Sequence, residues 1–443
     1  MRRTEIAVVG GGASGLMAAL TAAEEQKRQH RPISVLVLEA AQKPGRKLLA
    51  TGNGRCNLTN MRGELSRFHG DVPAAEAVLG KYPPQAVVRR FLSLGLLCRE
   101  EDEGRVYPNS GQAASVLSLL LEHLQALGAE ILCEWPVSQI SREGAGFRLH
   151  SSQGDEMLAQ RVILATSGKA APQLGSNGSG YALSKAAGHS CTSCFPALVP
   201  VICGENKRCK ALHGVRCRGR VSLLGDGKLL GEELGEIQFT DYGLSGVCVF
   251  QLSRMASEWA QSKTVNGKRF TSLQFSLDLL PNYTHEELLG MLQRRKRLLP
   301  KSDSMALLSG FLPVALARQI TKEVLEKAAP LEILSPSDIE KTLLAAKNYT
   351  FTVKTTQDWN RAQVTAGGVP LSEICPQTLE SSRCSGLYLC GELLNLDGDC
   401  GGYNLQWAWA SGMAAGKAAA SACKPPKPAK SSKPRRKPHA ANR

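Results

Sequence analysis

Gly10, Gly12 and Gly15, within the run Gly10-Gly11-Gly12-Ala13-Ser14-Gly15, and Glu39 further along have the types and spacing that hold an adenine dinucleotide. Each has a separate job. Gly10 allows a tight turn, Gly12 lets backbone approach a pyrophosphate, and Gly15 lets a helix pack closely on a strand. The helix opening there offers unpaired N–H groups and about half a positive charge to the phosphates. Glu39 is placed to accept from a ribose 2′-hydroxyl and would repel a 2′-phosphate, so the nucleotide expected lacks one, as in FAD or NAD. The polar loop over residues 45–60 lets backbone come close to a ligand, and its Arg46, Lys47 and Arg55 can meet phosphate.

These residues need a scaffold that places them together, and the surrounding pattern predicts one. Ile6 to Val9 is an uninterrupted apolar run, as in a buried parallel strand. A helix follows with Leu16, Ala19, Leu20 and Ala23 on one face, stopped by Arg31-Pro32. A second buried strand, Ile33 to Leu38, ends at Glu39. Helices are expected over 84–97, 112–127 and 181–187, and another strand over 161–166, followed by Ser167-Gly168. Gly175 to Gly180 lacks a preceding strand and is not a second fingerprint.

From about Cys191 the pattern changes to short alternating runs, Ala197 to Cys203, Val215 to Leu224 and Phe270 to Leu277, which predict an antiparallel β insertion. Residues 284–346 predict three helices, with capping signals at Thr284/Glu287 and Ser335-Pro336. Near Gly386 the chain returns to a strand, Leu387 to Cys390, then Gly391-Glu392, Asp397, Gly401-Gly402 and a helix from Leu405 to about Ala422. Two glycine clusters so far apart predict one nucleotide-binding domain split by an insertion. Asp397 is placed to accept from a ribityl or phosphate-adjacent hydroxyl. The amides of Gly401 to Asn404, at a helix N-terminus, would stabilise negative charge on a reduced flavin by about 0.3–2 kcal/mol. Trp407 and Trp409 are expected to pack in the last helix rather than stack on a flavin.

Composition bounds the rest. A length of 443 residues suggests about three domains. No window has the ~20 uninterrupted apolar residues of a membrane helix. The fingerprint begins so early that no signal peptide is expected ahead of it, which predicts a cytoplasmic protein with its 14 cysteines mostly reduced. Cys191-x-x-Cys194, with Cys203, Cys209 and Cys217 beyond, lacks regular zinc spacing, and scattered small core residues are expected instead of a metal site. The net charge of +15 is uneven. Lys424 to Arg443 carries eight Lys or Arg and no acid, which leaves about +7 elsewhere. This Pro-, Lys- and Ser-rich tail is expected to be disordered, either as a solvated appendage or as a grip on nucleic acid or acidic lipid.

Three blocks together carry a resemblance: Gly10 to Gly15; Gly45-Arg-Lys-Leu-Leu-Ala-Thr-Gly-Asn-Gly-Arg-Cys-Asn57; and Gly391-Glu392 through Gly401-Gly-Tyr-Asn-Leu-Gln-Trp-Ala-Trp409. The chain resembles the bacterial BaiN-like (YhiN-like) NAD(P)/FAD-dependent oxidoreductases, also called aminoacetone-oxidase-family FAD-binding enzymes. Phe239-Thr-Asp-Tyr-Gly-Leu-Ser-Gly246 resembles a motif of that family's insert domain. The likeness covers about residues 4–420 and not the basic tail. One departure is visible: Asn395 stands where many relatives have Asp.

The resemblance implies an α/β protein, with a Rossmann-like FAD-binding domain of the two-dinucleotide-binding type split by a β-rich insert and a helical segment. The expected division is 1–190 and 350–422 for the two parts of the FAD domain. The insert takes 191–282, its helical segment 283–349, and the tail 423–443. FAD is expected against Gly10, Gly12, Ala13, Ser14 and Gly15 at the first turn, and Glu39 and Ala40 after the second strand. In the loop it is expected against Arg46, Lys47, Asn53, Gly54, Arg55, Cys56 and Asn57. Val137, Thr166 and Gly168 complete the first half. Gly391, Glu392 and Asp397, then Gly401, Gly402, Tyr403, Asn404 and Leu405, are expected from the second, with the flavin end near 397–406.

The implied activity is hydride transfer from NAD(P)H to FAD and on to an organic acceptor. Family members are linked to reduction of a C=C conjugated to a ketone in bile acids. No residue stands out as proton donor, though Tyr242, Tyr403 and His213 are candidates. A disulfide reductase would need a redox cysteine pair soon after the first helix, where only Cys56 stands. The remaining alternative is a flavin-bearing nucleic-acid binder or RNA-modification protein that uses the tail.

Overall fold

The computed structural model describes residues 1–423, and the basic tail lies outside the described residues. The fingerprint strand Arg2–Val9 is the middle of a parallel sheet. Val35–Leu38 and then Glu130–Leu132 lie on one side of it, and Glu156–Leu164 on the other, all parallel. Val35–Leu38 is buried at every position, as strands covered on both faces must be. Leu387–Leu389 adds parallel to the C-terminal half of Glu156–Leu164, so the two ends of the chain build one sheet. The hairpin Val137–Glu143 and Gly146–Ser151 adds antiparallel to its other half.

Helix Ala13–Arg28 leaves this sheet just after the glycine turn. It ends three residues before Arg31, where His30 takes a left-handed conformation. The last helix, Tyr403–Ala422, lies against it. Glycines allow the close crossing: a Cβ on Gly412 would sit 2.5 Å from the Ser14 carbonyl oxygen, and one on Gly416 2.2 Å from that of Ala18.

The expected β insertion is a closed six-stranded barrel. Its order is Val201–Cys203, Gly243–Ser245, Lys228–Phe239, Arg216–Gly225, Leu273–Asp278 and Tyr349–Thr356, which pairs back to Val201–Cys203. Two features differ from expectation. The closing strand Tyr349–Thr356 lies past the boundary placed at 349, because its pairing partners are barrel strands. The segment Val247–Ser262 is a helix inside a stretch read as β-rich. Val247 to Phe250 looks strand-like by composition, but Val249, Leu252, Ala256 and Trp259 bury one helical face.

The three later helices are His285–Leu298, Val314–Leu325 and Pro336–Lys347. Thr284 with Glu287, and Ser335 with Asp338, form complete capping boxes. These helices share a core with the barrel, separate from the core of the nucleotide-binding sheet. The chain passes between the two bodies on paired crossover strands, Phe195–Ala197 and Val364–Ala366. Among the described residues no helix is long and apolar enough to cross a membrane.

Candidate functional site

The first turn gives each glycine a distinct reason. Gly10 has φ +107°, and a Cβ there would lie 2.5 Å from the Ala165 carbonyl oxygen. A Cβ on Gly15 would come within 1.9 Å of the Gly10 oxygen. Gly12 differs: its φ is −83°, which any residue tolerates, and a Cβ there meets nothing within 4 Å. The protein's own packing therefore does not demand glycine at this position, and the space above it is open. Gly12 also precedes helix Ala13–Arg28 with no side chain capping the helix N-terminus, so its N–H groups face that space. Ser14 is buried, with its hydroxyl against Gly391, so it joins the two halves of the site.

Glu39 sits across this turn. Its carboxylate accepts from the Gly11 N–H at 2.8 Å and, through its other oxygen, from the Ala41 N–H at 2.8 Å. Ala40 lies between. The Glu39 backbone oxygen accepts from Trp135, and that segment leads into Val137, which places Val137 on the same rim.

The 45–57 loop is compact. Gly45 starts a short helix, Arg46–Ala50, and Gly52, Asn53, Gly54 and Cys56 all have positive φ. Its cations are already engaged. Arg46 donates to the Gln173 carbonyl at 2.8 Å, and Lys47 pairs with Glu392 at 2.8 Å. Arg55 pairs with Glu101 and lies over the Tyr107 ring. Cys56 is fully buried, and burial pushes its thiol up to about 12, so only its backbone is left to face a ligand. That thiol also lacks the exposed, activated character of a redox cysteine.

Asn57 points its Oδ1 into a buried position without a partner, near the spot where a Cβ on Gly402 would sit. Thr166 Oγ1 is a second such buried atom, beyond the C-terminal end of strand Glu156–Leu164. Unpartnered buried oxygens are uncommon in folded proteins and suit a site that receives a polar ligand.

Glu392, expected beside FAD, is also a hub for distant partners that the sequence did not show. It holds Lys47, accepts from the Thr365 N–H at 3.0 Å, and lies next to Gly168. Thr365 Oγ1 in turn accepts from the N–H groups of Lys169 and Ala170. Thr365 was missed because nothing in its local sequence marks it.

The second glycine cluster forms the other lip. Gly401 and Gly402 have φ of +114° and +104°, and Gly402 starts the last helix with no side-chain cap. This is a second free helix N-terminus. Asn404 turns back to clamp Gly398: its Oδ1 accepts from the Gly398 N–H at 2.9 Å and its Nδ2 donates to the Gly398 oxygen. Tyr403 is buried edge-on against Phe68, and Leu405 is half-buried beside it. Trp407 and Trp409 are buried, donating to the Gly391 and Leu58 carbonyls, so both pack as expected.

Asp397 has a partner the sequence did not show. It is buried and bonded to Arg254 at 2.9 Å, so its carboxylate also joins the last part of the chain to the insert helix Val247–Ser262. Gln251 of that helix accepts from the Cys400 N–H nearby. The expected proton donors fare unevenly. His213 is exposed on the turn before strand Arg216–Gly225, and Tyr242 lies at a barrel turn. Tyr403 alone belongs to the glycine lip.

Cys191 and Cys194 lie with sulfurs 3.9 Å apart on the crossover, and among the described residues no cluster of three or more His, Cys, Asp or Glu is arranged to hold a metal. The residues fit an adenine dinucleotide: open space over Gly12, two free helix N-termini, an acid at the second strand, and unpartnered oxygens between.

A family profile described as the HI0933-like protein Rossmann domain matches residues 4–418. The chain is 39% identical over 417 residues to a 3-dehydro-bile acid delta(4,6)-reductase of Clostridium scindens, covering 94% of this chain and 98% of that protein. It is 29% identical to a ribosomal RNA dihydrouridine synthase of Haemophilus influenzae, covering 93% and 97% respectively. Among solved structures, a 3-ketosteroid-delta4-(5alpha)-dehydrogenase from Rhodococcus jostii RHA1 aligns at 14% identity with a TM-score of 0.47, over 95% of this chain and 97% of that one.

Proposed function

The chain belongs to the family of the HI0933-like protein Rossmann domain, and from that membership we propose that it is an FAD-dependent oxidoreductase that saturates a C=C bond conjugated to a carbonyl. The observation that carries the cofactor reading is the open space above Gly12, flanked by an uncapped helix N-terminus and by Glu39. Bound there, FAD supplies two-electron chemistry and the protein supplies position and electrostatics. Glu39 would hold the ribose, and the N–H groups after Gly12 the pyrophosphate. The amides at Gly401 and Gly402 would offer positive potential at the reactive end.

The acceptor class follows from what the two relatives' names share. One relative is named as a reductase of a 3-dehydro bile acid and the other as a synthase of dihydrouridine, and a 3-oxo-4,6-diene and a uracil ring both present a C=C conjugated to a carbonyl. A steroid-like dienone is the first reading because the identity to that relative is higher, 39% against 29%. The second reading is a uracil in RNA. It is favoured by the eight positive charges of Lys424 to Arg443, which would neutralise phosphates in a salt-dependent way. In either case dihydronicotinamide is the proposed reductant.

The test is the visible spectrum of the purified protein without oxygen. A flavin spectrum is expected that bleaches with NADH or NADPH and returns on adding a 3-oxo-4,6-diene bile acid. Return with ribosomal RNA instead, lost on deleting Lys424 to Arg443, would select the second reading. A colourless protein that FAD cannot reconstitute would overturn the proposal.

A further inference from the structure

Saturating a C=C next to a carbonyl takes a hydride at the β carbon and a proton at the α carbon. The cofactor accounts for the hydride. We infer that His69 delivers the proton, its imidazole held by Asp399 beside the glycine lip at Gly401 and Gly402. This inference rests on the proposed reaction and adds a residue to it.

The placement comes from backbone pairing. Strand Phe68–Gly70 runs antiparallel to Leu396–Gly398, with His69 opposite Asp397. Two residues beyond Asp397, Asp399 is buried, and one of its oxygens lies 2.8 Å from His69 Nε2. An ionised carboxylate only accepts, so Nε2 carries a hydrogen and Nδ1 is the free nitrogen. The His69 side chain keeps 33% of its surface, enough to exchange protons with solvent.

The dyad lies at the seam between the two bodies. Arg67, on the same turn of chain, reaches Asp399 at 3.2 Å, Glu64 at 3.3 Å and Glu233 of the barrel strand Lys228–Phe239 at 3.3 Å. Charged and titratable groups near His69 on the elements packed against it include Asp399, Arg67, Glu64 and Glu233, Asp397 across the strand pair with its partner Arg254, and the Tyr403 hydroxyl close to the same charges.

The other side chains at the seam suit proton delivery less well. Arg67 and Arg254 do not give up protons near neutral pH. Cys400 has a buried thiol pushed up to about 12. Tyr403 is buried against Phe68. Imidazole is the group whose charge changes in the working range. In the step, hydride forms the β C–H bond and the π pair moves to the α carbon. That carbon takes the proton from Nδ1, whose N–H pair stays on the ring. Neutral His69 is then recharged by water.

The holoenzymes to compare are wild type, His69→Gln and Asp399→Asn. The probes are a 3-oxo-4,6-diene steroid acid and ribosomal RNA, and the readouts are separate rates for bleaching by NAD(P)H and for reoxidation by the probe. His69→Gln is expected to bleach at the wild-type rate and to reoxidise at least about 100-fold more slowly, the usual effect of losing a general acid. In the oxidised protein, the His69 imidazole resonance should move when the active probe is added. Asp399→Asn weakens the contact that fixes the Nε2 side of the ring and should slow reoxidation while leaving bleaching at the wild-type rate. If wild type saturates a probe and His69→Gln does so equally fast, the role of His69 is refuted and the reaction stands. If wild type bleaches but saturates neither probe, the reaction itself is refuted and this inference falls with it.

Discussion

At the scale of single residues, glycines that look alike in sequence differ in what they answer to. Gly10 and Gly15 are required by backbone oxygens that a Cβ would strike, whereas Gly12 faces open space with an ordinary φ. Gly12→Val should therefore fold normally and purify without flavin, read by absorbance and by an unchanged melting temperature. A yellow Gly12→Val protein would contradict the pyrophosphate assignment. Glu39→Ala should also lose FAD. It should lose about 1–3 kcal/mol of stability as well, because two backbone N–H groups lose their acceptor. Asp397 gives the opposite pattern. Asp397→Asn leaves Arg254 partly buried without its counter-charge, which should destabilise the protein by about 3 kcal/mol in chemical denaturation. A variant of full stability that binds FAD weakly would support the hydroxyl-acceptor role first read for Asp397.

At the scale of elements, local patterns foretold what local forces decide. The fingerprint strand and helix, the capped helices starting at His285 and Pro336, and the last helix all form within a few residues of their expected bounds. Helix Val247–Ser262 was not foreseen, since its first four residues suit a strand and only packing against the barrel selects the helical face. The return crossover depends on long-range contacts in the same way. Glu373 accepts from the Ser190 hydroxyl and N–H and from the buried His189, whose other nitrogen meets Ser381 at 2.7 Å. Ser381 Oγ already accepts from the N–H groups of Arg383 and Cys384, so this triad fastens chain segments and has no free nucleophile. Burial pushes the Glu373 carboxyl up, and the bonds from Ser190 and His189 more than reverse it, leaving it below its ordinary value. Its folded pKa is thus lowered, so its stabilisation is full above the unfolded value of about 4.3 and is lost as pH falls through the folded one. Glu373→Gln should melt lower at neutral pH and lose less than wild type on acidification below that value. Parallel melting curves against pH would remove Glu373 from this account.

At the scale of the whole molecule, a nucleotide-binding body and a barrel-and-helix body keep separate cores and meet at charged contacts, Arg254 with Asp397 and Arg67 with Glu233, while Arg67 also holds Asp399 on its own side. The proposed chemistry is placed at that seam, and its pH dependence and its sensitivity to changes at 67, 69 and 399 are predicted to appear together in the reoxidation rate. The dinucleotide fingerprint, the acid at Glu39, the split of one domain by an insertion and the family are legible in residue order alone, because they rest on short-range spacing and on motifs a few residues long. Asp397 meets Arg254, Glu392 gathers Lys47 and Thr365, and His69 stands against Asp399 only once the chain has folded. Those pairs are 143, 345 and 330 residues apart for Asp397, Lys47 and His69 with their partners. Nothing in a local pattern encodes which distant side chain will meet a buried charge. That is settled when the sheet, the barrel and the last helix close around it and the charge must find a counter-charge or remain in water.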